Sequence, residues 1–324
     1  MTIATETTSA TRHLALSSAR TSAMMPVDFG LYALVLFSWG TSWLALKMQV
    51  GVVAPEVSVF WRFLFAATLM MTWAMVSRRR LRFAVGDHLR FAGLGGMIFS
   101  TNFVLFYYGA LHLPSGLLSV VFSLTSIINL LLAAVIFRQG ISRRVLIGGI
   151  LGACGIALMF WPQIAGTRIN HDALVGLGFC AAGTVSFCLG NMLSASNQAR
   201  GLPVVSANAW GMVYGAAFLA VFARIKGDAF IMELTPAYIG GLVWLVVFST
   251  VLAFACYLTL LGRIGSARAG YATVMFPIVA LAISTVVEGY QWTPGALAGL
   301  LCVLAGNLFV LTRGRDVRQR PAGS

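Results

Sequence analysis

Long apolar stretches, separated by short polar segments, dominate the pattern along the chain. A helix that spans a bilayer needs about 20 apolar residues, at 1.5 Å per residue across a core of about 30 Å. The pattern predicts ten such helices, with connections too short to hold a soluble domain. The predicted spans are 27–48, 57–77, 89–111, 115–137 and 144–162 in the first half, and 173–197, 204–223, 237–261, 266–287 and 295–312 in the second.

One pair of these spans, Phe99–Phe137, has a second copy at Phe248–Glu288. Both copies begin with Phe-Ser-Thr, and each has a tyrosine seven residues after the threonine, Tyr108 or Tyr257. The copies begin at the third and eighth helices, and this odd offset reverses their direction across the membrane. The sequence therefore predicts an all-α integral membrane protein, with ten transmembrane helices in two inverted five-helix repeats around a central cavity. Many secondary transporters have this architecture.

Glycines in the last helix of each half agree with the repeat. Two pairs are related by an offset of 151, Gly148 with Gly299 and Gly155 with Gly306. Small residues let helices approach closely in lipid, so we interpret these glycines as packing residues.

Composition and charge support a membrane protein. The 324 residues are 59% hydrophobic and 10% charged, with a mean hydropathy of +0.88, whereas soluble domains carry about 25% charged residues. The net charge of +13 comes from basic residues in short segments between apolar runs. Placing the N-terminus in the cytoplasm puts most of them on the cytoplasmic side. We expect both termini to be cytoplasmic and no nucleic-acid partner.

These features divide the chain into four segments. Residues 1–26 are rich in Ser, Thr and Ala and lack the apolar core of a signal peptide, which predicts a disordered cytoplasmic tail. The first repeat is expected at 27–162 and the inverted second repeat at 173–312. A short cytoplasmic tail is expected at 313–324.

The sequence contains no motif for enzymatic chemistry. It has no phosphate-binding loop, zinc motif or nucleophile elbow, and its five cysteines are scattered within apolar runs. A membrane enzyme would need a cluster of catalytic His, Asp or Glu at one membrane face, which is missing. We therefore expect no enzyme, no cofactor and no metal.

Polar and aromatic side chains recur on the first, third, fourth, sixth, eighth and ninth predicted helices. Lipid cannot satisfy a hydroxyl or amide, so such faces should turn inward. The equivalence of the two copies predicts that Thr101 and Tyr108 meet Thr250 and Tyr257 across a cavity. Hydrogen bonding between helices is the competing interpretation for any single residue. The candidate substrate-binding residues are Trp39, Ser42, Trp43, Thr101, Tyr108, Ser119, Ser123, Thr184, Asn191, Thr250, Tyr257, Thr273 and Pro277.

Charged residues inside the predicted spans are few. The lack of a carboxylate near the midplane disfavours a proton-coupled exporter of cationic drugs. Arg62 lies well inside a helix and is able to bind a substrate carboxylate or extend to the outer interface; we favour a structural role. Lys47 and Glu288 lie at outer helix ends and are, with Arg62, candidates for gating or structural charges.

Two short motifs carry a resemblance to a known family. The first helix reads Trp39-Gly40-Thr41-Ser42-Trp43, and Arg62-Phe63 occurs in the second. With ten helices in two inverted halves, the chain from about 27 to 312 resembles the EamA branch of the drug/metabolite transporter superfamily, and within it the YddG-type exporters of aromatic amino acids. The resemblance implies a basket-shaped bundle whose cavity is lined by the same six helices. It also implies export of Phe, Tyr and Trp across a bacterial inner membrane.

The sequence thus favours an alternating-access secondary carrier, a monomer in the lipid bilayer, that exports small zwitterionic metabolites and above all aromatic amino acids. Without a midplane carboxylate, we expect facilitated or weakly coupled transport. Export of other amino acids or of drugs and organic cations is the alternative. A sugar-phosphate exchanger would need more basic residues in the cavity, and a non-transporting receptor would have no evident use for inverted symmetry.

Overall fold

A computed structural model describes residues 25–136, 141, 143–165, 170–269 and 271–311. The described residues form ten helices in a single bundle, which confirms the predicted all-α fold. The helices are α1 (Pro26–Lys47), α2 (Pro55–Val76), α3 (Val85–His112), α4 (Ser115–Ile136), α5 (Arg143–Ala165), α6 (His171–Ala199), α7 (Val204–Lys226), α8 (Pro236–Val243, Trp244–Leu252 and Ala253–Ala269 in succession), α9 (Ala272–Val287) and α10 (Pro294–Leu311). The predicted tails lie almost wholly outside the described residues.

Nine of the helices in the described ranges are long and apolar enough to cross a membrane, and α9 is a shorter apolar helix of 16 residues. Prolines begin four of them, where a missing N–H costs no hydrogen bond: Pro26, Pro55, Pro236 and Pro294.

One predicted boundary is wrong. The sequence predicts a turn between residues 261 and 266, but α8 continues to Ala269 and α9 begins at Ala272. The residues left between the two predicted spans include Gly262 and Gly265. A glycine costs a helix only about 1 kcal/mol, so two of them do not end a helix that continues on both sides.

The repeated Phe-Ser-Thr motif has the same unusual backbone in both halves. In α3 it lies in a π-helical segment, Met97–Thr101, and in α8 it lies in a second π-helical segment, Trp244–Leu252. In the wider turn the Thr250 hydroxyl donates to the carbonyl of Leu245, five residues earlier, at 2.7 Å. π-Helix is rare in proteins, so its recurrence at one motif is structural evidence for the repeat.

Helices α5 and α10 meet along a glycine seam. A Cβ on Gly155 would lie 2.6 Å from the carbonyl oxygen of Gly299, and one on Gly148 would lie 2.8 Å from that of Gly306. The repeat relates Gly148 to Gly299 and Gly155 to Gly306, so exchanging the halves turns one contact into the other. The pseudo-two-fold axis therefore passes through this seam.

The other helix contacts follow the same exchange. Helix α2 packs on α7, which is its equivalent in the second half. The contact of α1 with α9 in the same way corresponds to the contact of α6 with α4. The contact of α3 with α6 likewise corresponds to that of α8 with α1. We call the end of the bundle at which α1 begins the terminal face, and the opposite end the distal face.

The glycine seam leads to a stability prediction. The change Gly155→Ala places a methyl group where the backbone of α10 lies, and overpacking of this kind costs about 1–3 kcal/mol. We expect a lower melting temperature in detergent by differential scanning fluorimetry. Gly178→Ala is the matched control, because a Cβ there has no atom within 4 Å. Equal melting temperatures for the two variants would contradict the seam.

Candidate functional site

An aromatic cluster fills the middle of the bundle. Trp43 of α1 lies 5.2 Å from Phe106 of α3 and 5.4 Å from Phe122 of α4, measured between ring centroids. Phe122 lies 4.9 Å from Phe187 of α6 and 6.2 Å from Phe276 of α9. Five of the six helices expected to line a cavity thus contribute one ring each. Offset and edge-to-face arrangements of this kind stabilise by about 0.5–1.5 kcal/mol per pair.

A second group of side chains lies on the terminal side of this cluster. Ser126 of α4 lies 3.4 Å from Thr273 of α9, between hydroxyl oxygens. One turn further along α4, Asn129 accepts a hydrogen bond of 3.4 Å from Asn191 of α6.

Two aromatic side chains extend this group to α1 and α8. The rings of Trp39 and Tyr257 are 5.1 Å apart, and both pack against a small cluster that includes Ala272 at the start of α9. We call the six residues of the group the polar ring: Trp39, Ser126, Asn129, Asn191, Tyr257 and Thr273.

Accessibility changes along the axis of the bundle. The residues of the polar ring are all half-buried. Ser119 and Ser284, on the distal side of the aromatic cluster, are 0% exposed, and Ser115 is 1% exposed. The centre of the bundle is therefore closed toward the distal face and more accessible toward the terminal face.

Most of the predicted hydroxyl residues bond within their own helices. Five of them donate a hydrogen bond of 2.5–2.8 Å to a main-chain carbonyl three to five residues earlier: Ser42, Ser119, Ser123, Thr184 and Thr250. Such back-bonding satisfies a hydroxyl and uses its proton. In this conformation these five residues do not offer donors to a ligand, although Ser123 also accepts from Asn307 of α10 at 3.4 Å.

The predicted meeting of the two threonine–tyrosine pairs is not found. The Tyr108 hydroxyl donates to Glu56 at 2.6 Å and accepts from Lys226 at 2.9 Å, both at the distal ends of their helices. Tyr257 instead lies beside Trp39 on the terminal side, and the Thr101 side chain is exposed. The physical reason is the inverted symmetry itself. An axis in the membrane plane places equivalent residues at opposite depths unless they lie at the midplane.

Arg62 is buried in a polar network rather than extended to the interface. Its side chain is 4% exposed, and its guanidinium lies 4.2 Å from the ring centroid of Phe103. The Tyr107 hydroxyl lies near Arg62 and donates to the Gln49 amide oxygen at 2.9 Å. A buried guanidinium is stabilised by the aromatic faces that it lies against.

The same network ties α8 to the distal end of the bundle. Gln49 donates to the Tyr238 carbonyl at 3.2 Å, and the Tyr238 hydroxyl donates to Ser58 at 3.0 Å. We call the five residues the arginine network: Gln49, Ser58, Arg62, Tyr107 and Tyr238.

Lys47 and Glu288 both hold the connection between α3 and α4 at the distal face. The Lys47 ammonium donates to the carbonyls of Ala110 and, at 3.1 Å, of Leu113. The Glu288 carboxylate accepts from the main-chain N–H of Ser115 at 3.0 Å and from its hydroxyl. We call Lys47, Glu288 and this connection the distal clasp. It joins the ends of α1 and α9 to the α3–α4 hairpin.

An ion pair occupies the opposite end of α1. Arg263 of α8 donates to Asp28 at 2.5 Å, and Asp28 is 3% exposed. Asp28 also accepts from the main-chain N–H of Met25 at 2.8 Å. Helix α1 is thus tied to α8 at the terminal face and to α3 at the distal face.

The sequence analysis missed several residues of the site. Phe106, Phe122 and Phe276 complete the aromatic cluster, but α3 carries aromatic residues on every side, so its inward face was not distinguishable from periodicity. The arginine network was missed because Gln49 follows the first predicted span and Tyr238 lies at the very start of the eighth, away from the polar faces of both helices. Pro277 is buried in α9 next to Phe276.

The fold and the site together describe a membrane carrier, built as two helical repeats around an aromatic and polar centre. The model of the EamA-like transporter family matches the chain twice, at residues 29–161 and 173–312. The chain therefore belongs to the EamA-like transporter family. It is a multi-pass membrane transporter and not an enzyme.

Curated relatives span almost the full chain at low identity. The chain is 24% identical to "Protein PagO" of Salmonella typhimurium, over 88% of this chain and 96% of that protein. It is also 24% identical to a "Probable amino-acid metabolite efflux pump" of the same organism, over 90% and 97%. "Uncharacterized transporter YoaV" of Bacillus subtilis is 23% identical, over 90% and 99%.

A solved structure, described as "Crystal structure of protein", has the same fold. Its TM-score is 0.61 at 15% identity, over 88% of this chain and 96% of that one.

The arginine network predicts a specific loss of stability. Tyr107→Phe leaves the buried Gln49 amide oxygen without its donor beside the buried Arg62, which costs about 1–3 kcal/mol. We expect a lower melting temperature than in the wild type. Tyr271→Phe removes a tyrosine hydroxyl outside the network and serves as the control. If the two variants melted together, Tyr107 would not support Arg62.

Proposed function

We propose that this protein exports small zwitterionic metabolites, above all aromatic amino acids, by alternating access across a bacterial inner membrane. The observation that carries the proposal is the aromatic cluster bordered by the polar ring. A carrier for Phe, Tyr or Trp needs an apolar surface for the ring and hydrogen-bonding groups for the charged end. The two groups of residues supply these next to one another.

Rearrangement of the aromatic cluster is the step that this proposal assigns to a substrate. A substrate ring entering from the terminal side replaces one protein ring–ring contact with another of similar energy. Asn129, Asn191 and Thr273 lie on the side of entry and offer amide and hydroxyl groups to the carboxylate and ammonium. The relative described as a probable amino-acid metabolite efflux pump supports amino acids as the substrate class.

The distribution of basic residues supports an orientation with the terminal face in the cytoplasm. Loops rich in Lys and Arg stay on the cytoplasmic side of bacterial membrane proteins. Among the described residues, those at the terminal helix ends and loops are Arg78, Arg79, Arg80, Arg82, Arg90, Arg143, Arg144, Arg200 and Arg263, whereas those at the distal face are Lys47, Arg224 and Lys226. In this orientation the accessible side of the polar ring faces the cytoplasm, as loading of an exported substrate requires.

Transport is expected to be facilitated or weakly coupled to protons. Asp28, paired with Arg263, and Glu56, paired with Lys226, lie in the first turns of their helices. Glu288 ends α9 within the distal clasp. A proton carrier needs a carboxylate that reaches the substrate pathway near the middle of the membrane, and none of these three lies at that depth.

Transport by the purified full chain in proteoliposomes tests the substrate class. We expect counterflow of tryptophan, phenylalanine and tyrosine, with little of alanine or of an organic cation such as tetraphenylphosphonium. The panel should be repeated with and without an imposed pH gradient, and the gradient should change the rates less than about twofold. Transport of the cation without the aromatic amino acids would overturn the proposal.

The aromatic cluster predicts the effect of a single substitution. Trp43→Leu removes ring contacts with Phe106 and Phe122, each stabilising by about 0.5–1.5 kcal/mol, so the KM for tryptophan should rise about threefold to tenfold. Trp161→Leu is the matched control, because Trp161 is 60% exposed on α5. Melting temperatures check that both variants are folded. An unchanged KM in folded Trp43→Leu would remove the aromatic cluster from the substrate pathway.

A further inference from the structure

One face of α1 leads from the aromatic centre to the distal clasp. Trp39, Trp43 and Lys47 are spaced four residues apart, which places them on one side of the helix. The Cα of Lys47 is therefore roughly 6 Å beyond that of Trp43 along the helix axis. On α1, Lys47 is thus the first charged side chain on the distal side of the aromatic cluster.

Glu288 approaches the same place from α9. Pro277, Ser284 and Glu288 share one side of that helix, and Gly116 of α4 packs against Ser284. Lys47 donates to the carbonyl of Leu113, and Glu288 accepts from the N–H of Ser115, two residues further along the chain. The distal clasp thus brings a positive and a negative charge to neighbouring residues of the α3–α4 connection.

Neither charge is neutralised by an ion pair. Within the part of the chain that the structure describes, no oppositely charged side chain lies within 4.0 Å of Lys47 or of Glu288. Their partners are main-chain groups and the Ser115 hydroxyl, which carry only partial charges. A ligand with full charges of both signs makes stronger, charge-assisted hydrogen bonds with the same two groups.

The geometry points to a second substrate site: we propose that Lys47 binds the carboxylate, and Glu288 the ammonium, of an α-amino acid on its way out. This inference rests on the proposed function and extends it to the distal half of the pathway. In the structure the α3–α4 connection occupies the site, presenting carbonyls to Lys47 and an N–H to Glu288. The substrate takes the place of these main-chain groups.

The exchange links substrate arrival to opening of the distal face. Moving the α3–α4 connection away with no substrate present would remove the hydrogen bonds that these two half-buried charges make in the closed state, which is costly. A zwitterion supplies the missing partners, so it lowers the free energy of the open state relative to the closed one. A ligand shifts a conformational equilibrium in this way only if it binds one state better than the other.

The test uses three probes that share an indole ring. Tryptophan carries both charges, tryptamine lacks the carboxylate and indole-3-propionate lacks the ammonium. Each is measured as an inhibitor of labelled tryptophan counterflow in proteoliposomes of the full chain. Lys47→Gln should weaken inhibition by tryptophan and indole-3-propionate at least tenfold and change that by tryptamine less than twofold. Glu288→Gln should weaken inhibition by tryptophan and tryptamine and spare indole-3-propionate.

Two controls separate this effect from general changes at the distal face. Arg224→Gln and Asp172→Asn remove charges of the same signs from exposed distal positions and should leave all three inhibition constants unchanged. Lys47→Arg keeps the positive charge and should retain the preference for the carboxylate, even if Lys47→Gln folds poorly.

The outcomes distinguish the two proposals. If wild-type protein does not transport tryptophan, the proposed function and this inference both fail. If it transports tryptophan but Lys47→Gln and Glu288→Gln weaken all three probes by one common factor, the distal clasp is purely structural and this inference alone is overturned.

Discussion

Contact between glycine backbones at the α5–α10 seam is the constraint on which the arrangement of the two halves depends. Inside a bilayer an apolar helix surface gains no hydrophobic free energy by exchanging lipid for another helix. Close backbone packing therefore has to supply much of the association energy. Gly148 against Gly306 and Gly155 against Gly299 provide it at two symmetry-related points. Because these contacts exchange under the pseudo-two-fold operation, neither half can shift along the seam without losing both. The contact of α2 with α7 joins the two halves at a second place that the same operation maps onto itself.

Inverted symmetry explains both the likeness and the difference between the halves. The π-helical segments recur at the repeated Phe-Ser-Thr motif of both halves. Toward the helix ends, equivalent positions face opposite compartments and have different partners. Tyr108 therefore bonds to Glu56 and Lys226 at one face, whereas its counterpart Tyr257 packs on Trp39 toward the other. The two faces of the membrane protein are thus lined by different side-chain contacts although they derive from equivalent positions of the repeat.

The fold could be predicted from the sequence because very few backbone structures can span a lipid bilayer. Each span must be an apolar helix of about 20 residues, so counting runs predicted the ten helices and the repeat predicted their inversion. Side-chain partners were harder to predict. A serine that bonds to its own helix, such as Ser119, has the same sequence signature as one that faces a cavity. The partners of Lys47 are main-chain carbonyls more than 60 residues away, for which no side-chain pattern exists.

The two ends of α1 give this helix a mechanical role. Its 22 residues form a rod of about 33 Å, anchored by Asp28 to Arg263 at one face and by Lys47 to the α3–α4 hairpin at the other. A rod held at both ends cannot tilt, but releasing either anchor converts the other into a pivot. In the alternating-access cycle that we propose, release at one face leaves the other face held by its own anchor. The stiffness of one helix thereby keeps the two ends from opening together.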